Sequence, residues 1–128
     1  MHDKIFGVVL VLAGVLSAPG AQAGDLVNGE KLAKRCLPCH SLTTQDKKLG
    51  PSLQGIVGRK VASVAGYKYS PAMVTYGAAA LTWDATSLDG FLADPKATVP
   101  GTKMALPPVK DPAQRADIIT YLESLKAP

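Results

Sequence analysis

Two cysteines and a histidine fall within five consecutive residues of this sequence, in the order Cys36-Leu37-Pro38-Cys39-His40. The spacing C-x-x-C-H is the attachment pattern of c-type haem. Each thiol can add across one vinyl group of a haem to form a thioether, and the histidine that follows can place an imidazole nitrogen on the iron. The motif therefore predicts one covalently bound haem c, held on a single turn of the chain.

Other chemistry of two neighbouring thiols fits the sequence less well. A structural zinc site needs four nitrogen or sulfur ligands, whereas the chain has two Cys and two His, and His2 precedes a segment that has the pattern of a removable leader. A thioredoxin-like dithiol shares C-x-x-C but usually follows a strand and opens a helix. Here residues 28–35 indicate a helix that ends at Cys36. A disulfide across so short a loop would constrain the unfolded chain little. The redox dithiol is the main alternative to haem.

The first 23 residues have the pattern of a secretory signal peptide. An apolar and small-residue run covers residues 5–18, and a small-x-small triplet ends at Ala23. The run is short for a bilayer span, so a retained membrane anchor is the alternative. Export also fits the motif, because thioethers to haem are made outside the cytoplasm in bacteria. We predict a signal peptide at 1–23, a single domain at 24–128 and a location in the periplasm.

The charge of the chain is moderately basic and evenly spread. The net charge is +4 and no basic cluster is longer than two residues, which makes nucleic acid a poor partner. An acidic docking surface on another protein suits this balance better. A domain of this size buries a modest core, so a central haem would contribute much of the apolar interior, and folding and cofactor should be coupled.

Periodicity and capping residues predict helices and give little support for strands. The four predicted helices cover about 25–35, 70–77, 84–94 and 111–125. Ser70, Asp84 and Asp111 are the predicted N-caps, and Gln114 is expected to complete a capping box with Asp111. Residues 41–68 lack a sustained period, and we expect these long loops to pack on the haem.

The second axial position of the iron has two candidate methionines after residue 23. No second histidine remains there, so a bis-histidine haem would need another molecule. Met73 is expected in a short helix beside Val74, where apolar packing is its simpler role. Met104 lies in a loop with three prolines, residues 99–108, which suits an inflexible arm that presents a thioether. A methionine ligand favours ferrous iron and raises the reduction potential.

Further residues, in order along the chain, strengthen this interpretation. They are Gly50-Pro51, Arg59, Tyr67-Lys68-Tyr69, Trp83, Asp94-Pro95 and Pro100-Gly101-Thr102-Lys103-Met104. With C-x-x-C-H they make residues 24–124 resemble the class I cytochromes c of the mitochondrial and bacterial c2-like kind. The resemblance implies an all-α fold, the small cytochrome c fold, with about four helices and long loops wrapped around one covalently bound haem. It also implies an electron-transfer protein that is not an enzyme.

The resemblance implies roles for individual residues. Cys36 and Cys39 match the thioether positions, and His40 and Met104 match the axial ligands. The remaining matches concern the surroundings of the haem: Pro51 as carbonyl acceptor for the His40 ring proton, Arg59, Tyr69 and Trp83 as residues that hold the propionates, Thr102 beside the propionates and Met104, and Tyr121 as the aromatic that packs the last helix on the first.

Five basic residues match the ring around the exposed haem edge in this family. They are Arg35, Lys48, Lys96, Lys103 and Lys110. The implied function is a periplasmic one-electron carrier, a monomer without a small-molecule substrate. Its implied partners are acidic faces of a quinol–cytochrome c oxidoreductase, an oxidase, a photosynthetic reaction centre or a dehydrogenase. The alternatives are a dedicated haem subunit, a haem enzyme or sensor with a labile methionine ligand, and the thiol-disulfide oxidoreductase.

Overall fold

The structure, a computed structural model, describes Gly14 and residues 24–79 and 81–128. Its helices are α1 (Leu26–Ala33), α2 (Pro71–Gly77), α3 (Ala85–Ala93), α4 (Pro95–Thr98) and α5 (Pro112–Ser124), and a 3₁₀ helix, Lys34–Cys36, continues α1. No strand occurs in these ranges, where one isolated β-bridge joins Lys60 and Thr82. The predicted all-α fold is confirmed.

The predicted signal peptide, residues 1–23, lies outside the described residues except for the exposed Gly14. Within 24–79 and 81–128, no helix combines the length and the apolar character needed to cross a membrane.

The predicted N-caps hold the first turns of their helices. The side chains of Ser70, Asp84 and Asp111 each accept a backbone N–H of the following turn, at 2.8 to 3.1 Å. The predicted capping box at Gln114 is wrong, because the Asp111 carboxylate bonds the N–H two residues on and not the N–H of Gln114. The box occurs instead in α3, between Asp84 and Ser87.

The Asp94-Pro95 pair, predicted only to stop a helix, also starts one. Helix α3 ends at Ala93, and the Asp94 carboxylate then accepts the N–H of Ala97 at 3.1 Å. Proline at the first helical position needs no N–H partner and already has a helical φ. The single turn α4 follows directly, and it leads into the loop that carries Met104.

Helices α1 and α5 cross in close backbone contact. A Cβ at Gly29 would collide with the Asp117 carbonyl oxygen and lie 3.0 Å from the Cβ of Tyr121. The Asp117 carboxylate accepts the N–H of Asp25 at 2.7 Å and the side-chain amide of Asn28 at 2.6 Å. Tyr121 is buried at this crossing, which confirms its predicted packing between the last helix and the first. The crossing positions the cysteine motif, because the motif begins at the end of the 3₁₀ helix that continues α1.

The core lies between α3, α5 and the long segment before α2. The Trp83 ring is 5.3 Å from that of Phe91, centroid to centroid. The other large buried side chains come from the helices and from the loops: Leu42, Ile56, Val61, Leu88, Leu92, Val99, Val109, Ile118, Ile119 and Leu122. The aperiodic residues 41–68 therefore contribute core side chains without forming helices.

Candidate functional site

The cysteine motif occupies one turn at the end of α1. The backbone N–H groups of Cys39 and His40 both donate to the carbonyl of Cys36, at 3.1 and 2.9 Å. Both cysteines are free thiols, with Cys36 half-buried and Cys39 exposed. Burial raises the pKa of the Cys36 thiol, and the charge of Arg35 only partly offsets this. Redox-active dithiols need a lowered thiol pKa, so this environment does not suit a thioredoxin-like site.

The His40 ring is oriented by a backbone carbonyl. Its Nδ1 lies 2.7 Å from the carbonyl oxygen of Pro51. A carbonyl can only accept, so Nδ1 carries the proton and Nε2 keeps its lone pair for a metal. Burial lowers the pKa of His40, against the opposing effect of the Pro51 bond. The imidazole is therefore favoured in its neutral form, which is the form that ligates iron.

Gly50 makes room for this ring. A Cβ at Gly50 would collide with the imidazole of His40. The Gly50 N–H donates to the carbonyl of Cys39 at 2.7 Å, which closes the chain onto the cysteine motif. The Gly50-Pro51 pair thus has two physical tasks: the glycine admits the ring, and the proline carbonyl orients it.

The three predicted propionate residues are linked through Arg59, by a backbone bond to Trp83 and by the effect of its charge on Tyr69. The backbone N–H of Trp83 donates to the backbone carbonyl of Arg59 at 2.8 Å. The hydroxyl of Tyr69 accepts the N–H of Val64 at 3.1 Å. Burial raises the pKa of Tyr69, while the nearby charge of Arg59 lowers it. The structure thus brings Arg59, Tyr69 and Trp83 into one cluster, although each is also held by protein groups.

Arg59 is a half-buried cation without a carboxylate partner. Its two terminal nitrogens donate to the carbonyls of Ser52 and Gln54, each at 2.7 Å. The single ion pair among the described residues lies elsewhere, between Arg115 and Asp89. Burial lowers the pKa of Arg59, and a charge in such a position is stabilised by an anion. Haem propionates would supply that anion.

The backbone acceptors at this site are not predictable from the sequence. Ser52 and Gln54 were not predicted, and they contribute carbonyl oxygens to Arg59. A carbonyl acceptor places no demand on side-chain type, so no residue pattern identifies it. The buried Ser52 hydroxyl also donates to the carbonyl of Thr44, which stiffens the loop that carries these acceptors.

Met104 lies in the loop that follows α4. The N–H of Thr102 donates to the carbonyl of Val99 at 2.9 Å, and the N–H of Met104 donates to the Thr102 hydroxyl at 3.2 Å. Gly101 has φ +87°, a left-handed conformation that L side chains rarely adopt. Met104 is half-buried against the core. These two hydrogen bonds and the turn at Gly101 therefore define the backbone conformation of the loop before Met104.

The five predicted docking residues are all exposed: Arg35, Lys48, Lys96, Lys103 and Lys110. The ammonium of Lys48 donates to the carbonyl of Leu37, within the cysteine motif, at 2.6 Å. Lys96 lines a cavity of about 410 Å³ between α4 and residues 105–108. No acidic side chain in the described part of the chain pairs with any of the five, so none of these charges is neutralised by a described carboxylate.

The observed groups fit a covalently attached haem. Two free thiols and an imidazole with an available Nε2 lie on one turn, and a half-buried arginine without an acid lies in the cluster with Tyr69 and Trp83. This donor set supplies thioethers, one axial nitrogen and a cation for carboxylates. The residues therefore match the group that the motif predicted.

A family comparison decides the class of the protein. The sequence model of the cytochrome c family matches residues 26–126. The chain belongs to the cytochrome c family. Members of this family are electron-transfer proteins that carry covalently bound haem c, and they are not enzymes. The predicted cofactor and electron-transfer class are confirmed, and membership rules out the thiol-disulfide alternative.

Individual relatives cover nearly the whole chain. It is 45% identical to the cytochrome c2 of Rhodomicrobium vannielii over 121 residues, which cover 93% of this chain and 94% of that protein. It is 38% identical to the cytochrome c2 of Blastochloris viridis over 128 residues, covering 99% and 96%. The solved structure of cytochrome cH from Methylobacterium extorquens is 43% identical, with a TM-score of 0.72 and coverage of 79% of this chain and 99% of that one. These similarities identify the protein as an electron carrier that works with redox partners.

Proposed function

We propose that this cytochrome c is a periplasmic one-electron carrier that uses His40 and Met104 as axial ligands and Cys36 and Cys39 as thioether positions. The observation that carries the proposal is the bond between His40 Nδ1 and the Pro51 carbonyl, 2.7 Å long, because it leaves Nε2 available beside two free thiols. When bound, the haem iron supplies the one-electron change between its ferric and ferrous states.

Bonds within the chain would keep both ligands in place during that change. Gly50 and Pro51 fix the plane of the His40 ring, and the loop bonds at Thr102 fix the backbone of Met104. A site that needs no rearrangement when charge moves suits fast electron transfer. With both His40 and Met104 as ligands, the iron would have no free site for oxygen or peroxide, which favours a carrier over a haem enzyme or sensor.

The residues around the propionates balance their charge. We assign Arg59, Tyr69 and Trp83 to the propionates and Thr102 to the side of the pocket next to Met104. A buried carboxylate is costly unless it is paired and hydrogen-bonded. The unpaired guanidinium of Arg59 supports this assignment.

We assign partner docking to the basic ring of Arg35, Lys48, Lys96, Lys103 and Lys110. Exposed lysines and arginines without acidic neighbours attract an acidic surface and raise the association rate. Suitable partners are acidic faces of a quinol–cytochrome c oxidoreductase, an oxidase, a reaction centre or a dehydrogenase.

Cleavage of residues 1–23 after export would deliver the chain to the periplasm as a diffusing monomer. Mass spectrometry of the exported protein should then give an N-terminus at Gly24.

An optical redox titration of the haem-containing protein tests the axial ligand. We expect a Met-sulfur to ferric-iron absorption in the wild type and its loss in Met104→Ala, together with a lower reduction potential, because a thioether favours ferrous iron. Met73→Ala is the matched control and should keep both properties. Persistence of the absorption in Met104→Ala, or ready carbon monoxide binding by the wild type, would contradict the proposed ligation.

A further inference from the structure

We propose that Arg115 is a positioning residue for Met104, acting through the chain segment that follows the methionine. The inference rests on the proposed axial role of Met104. Arg115 lies in the first turn of α5, and its side chain is only 13% exposed. An arginine this buried needs hydrogen-bond acceptors for its N–H groups. The identity of those acceptors indicates which parts of the protein the side chain holds together.

The guanidinium of Arg115 joins three parts of the protein. One terminal nitrogen donates to the carbonyls of Val109 and Lys110, at 2.9 and 3.1 Å. Its Nε donates to the carboxylate of Asp89 in α3, at 2.7 Å. Arg115 therefore fixes the end of the methionine loop to both α3 and α5.

The loop depends on this fixed point because it has few bonds of its own after Met104. No backbone N–H or carbonyl of residues 105–108 has a hydrogen bond to another described backbone group, and Pro107 and Pro108 have no N–H to donate. The next backbone bond is the N–H of Val109 to the carbonyl of Leu92, at 2.9 Å. Upstream the loop is held at Val99 and Thr102. The downstream anchor is Val109 with Lys110, and Arg115 holds both carbonyls.

The carbonyl bonds, more than the ion pair, carry this role. Asp89 is 47% exposed, and an exposed ion pair contributes little to stability. Val109 is only 3% exposed, and a buried acceptor that loses its donor pays its desolvation cost. Loss of Arg115 should therefore loosen the end of the loop and increase the fraction of molecules in which Met104 is away from the iron.

Imidazole binding to the ferric protein measures that fraction. Imidazole can bind only where Met104 has left, so its apparent affinity scales with the open population. We expect Arg115→Ala to bind imidazole at least fivefold more tightly than Asp117→Asn, which weakens the contact between α1 and α5 without touching the loop. Asp89→Asn keeps the carbonyl bonds and should stay within twofold of the wild type.

The outcomes separate this proposal from the ligation on which it rests. A difference below fivefold from Asp117→Asn, or an Asp89→Asn effect as large as that of Arg115→Ala, would overturn the role of Arg115 alone. A wild type without the sulfur-to-iron absorption would overturn Met104 ligation and this proposal with it. If Arg115→Ala does not accumulate as folded protein, Arg115→Lys replaces it, with a threefold difference as the threshold.

Discussion

The imidazole of His40 depends on one neighbouring residue that has no side chain. Gly50 is buried, and a Cβ there would occupy the space of the ring. In this position the Nδ1 of the ring lies 2.7 Å from the Pro51 carbonyl oxygen. Two features therefore orient the His40 ligand: the space left by the missing side chain of Gly50, and one hydrogen bond to the Pro51 carbonyl.

We expect Gly50→Ala to displace the His40 ring and to destabilise the haem-containing protein by about 1–3 kcal/mol, since the added methyl must be accommodated in a packed site. Denaturant unfolding, followed by circular dichroism and haem absorption, measures this change. The control is Gly90→Ala in α3, where a Cβ meets nothing within 4 Å and alanine should stabilise the helix by about 0.5–1 kcal/mol. Equal effects of the two substitutions would contradict the steric explanation.

Helices α1 and α5 together determine where the cysteine motif lies. The small residue Gly29 allows the backbones to approach, and the Asp117 carboxylate binds the start of α1 through Asp25 and Asn28. The hydrogen bonds from Asn28 and Asp25 lower the pKa of Asp117. Because the 3₁₀ helix that continues α1 ends at Cys36, this contact also orients the haem attachment turn.

The lowered pKa of Asp117 predicts a pH-dependent contribution to stability. A carboxyl group with a lower pKa in the folded state stabilises the protein above its unfolded pKa, and this contribution is lost as the pH falls through the folded value. We therefore expect Asp117→Asn to be less stable than the wild type at pH 7 and the difference to shrink at about pH 3. Denaturant unfolding at both pH values measures it. Glu123→Gln, an exposed change in the same helix, should show no such convergence, and a constant difference for Asp117→Asn would contradict the linkage.

The whole molecule carries a net charge of +4, and the proposed docking ring concentrates part of it. Exposed charges act over about one Debye length, roughly 10 Å at 0.1 M salt. Charge at the docking face therefore governs the rate of encounter with a partner more than the strength of the final contact.

We expect neutralisation of three ring lysines to slow electron transfer at low salt by about tenfold or more, and the effect to fade at high salt. The triple variant is Lys48→Gln, Lys96→Gln and Lys103→Gln. The control makes the same charge change at other exposed lysines, with Lys31→Gln, Lys60→Gln and Lys126→Gln. Stopped-flow reduction by an isolated quinol–cytochrome c oxidoreductase measures the second-order rate. Equal slowing in both variants would show that net charge, and not a docking face, controls the rate.

Local features of the fold were predictable because their causes are local. N-caps at Ser70, Asp84 and Asp111 follow from side chains that satisfy the next N–H groups. The cofactor was predictable because covalent attachment needs two thiols and a histidine at one spacing. The short helix α4 was missed, since a single turn after Asp94-Pro95 leaves no periodic pattern to detect.

Four of the five helices in the described residues, the haem attachment motif and the two candidate methionine ligands were predictable from the sequence alone, because each is marked by a short pattern of neighbouring residues. Only the tertiary structure decided that Gly50 makes room for the His40 ring, that Ser52 and Gln54 hold Arg59, and that Arg115 anchors the loop of Met104. The physical reason is that the first depends on the space between parts of the folded chain, and the other two depend on hydrogen bonds to backbone carbonyls. Every residue type has a carbonyl, so such partners become visible only when the chain is folded.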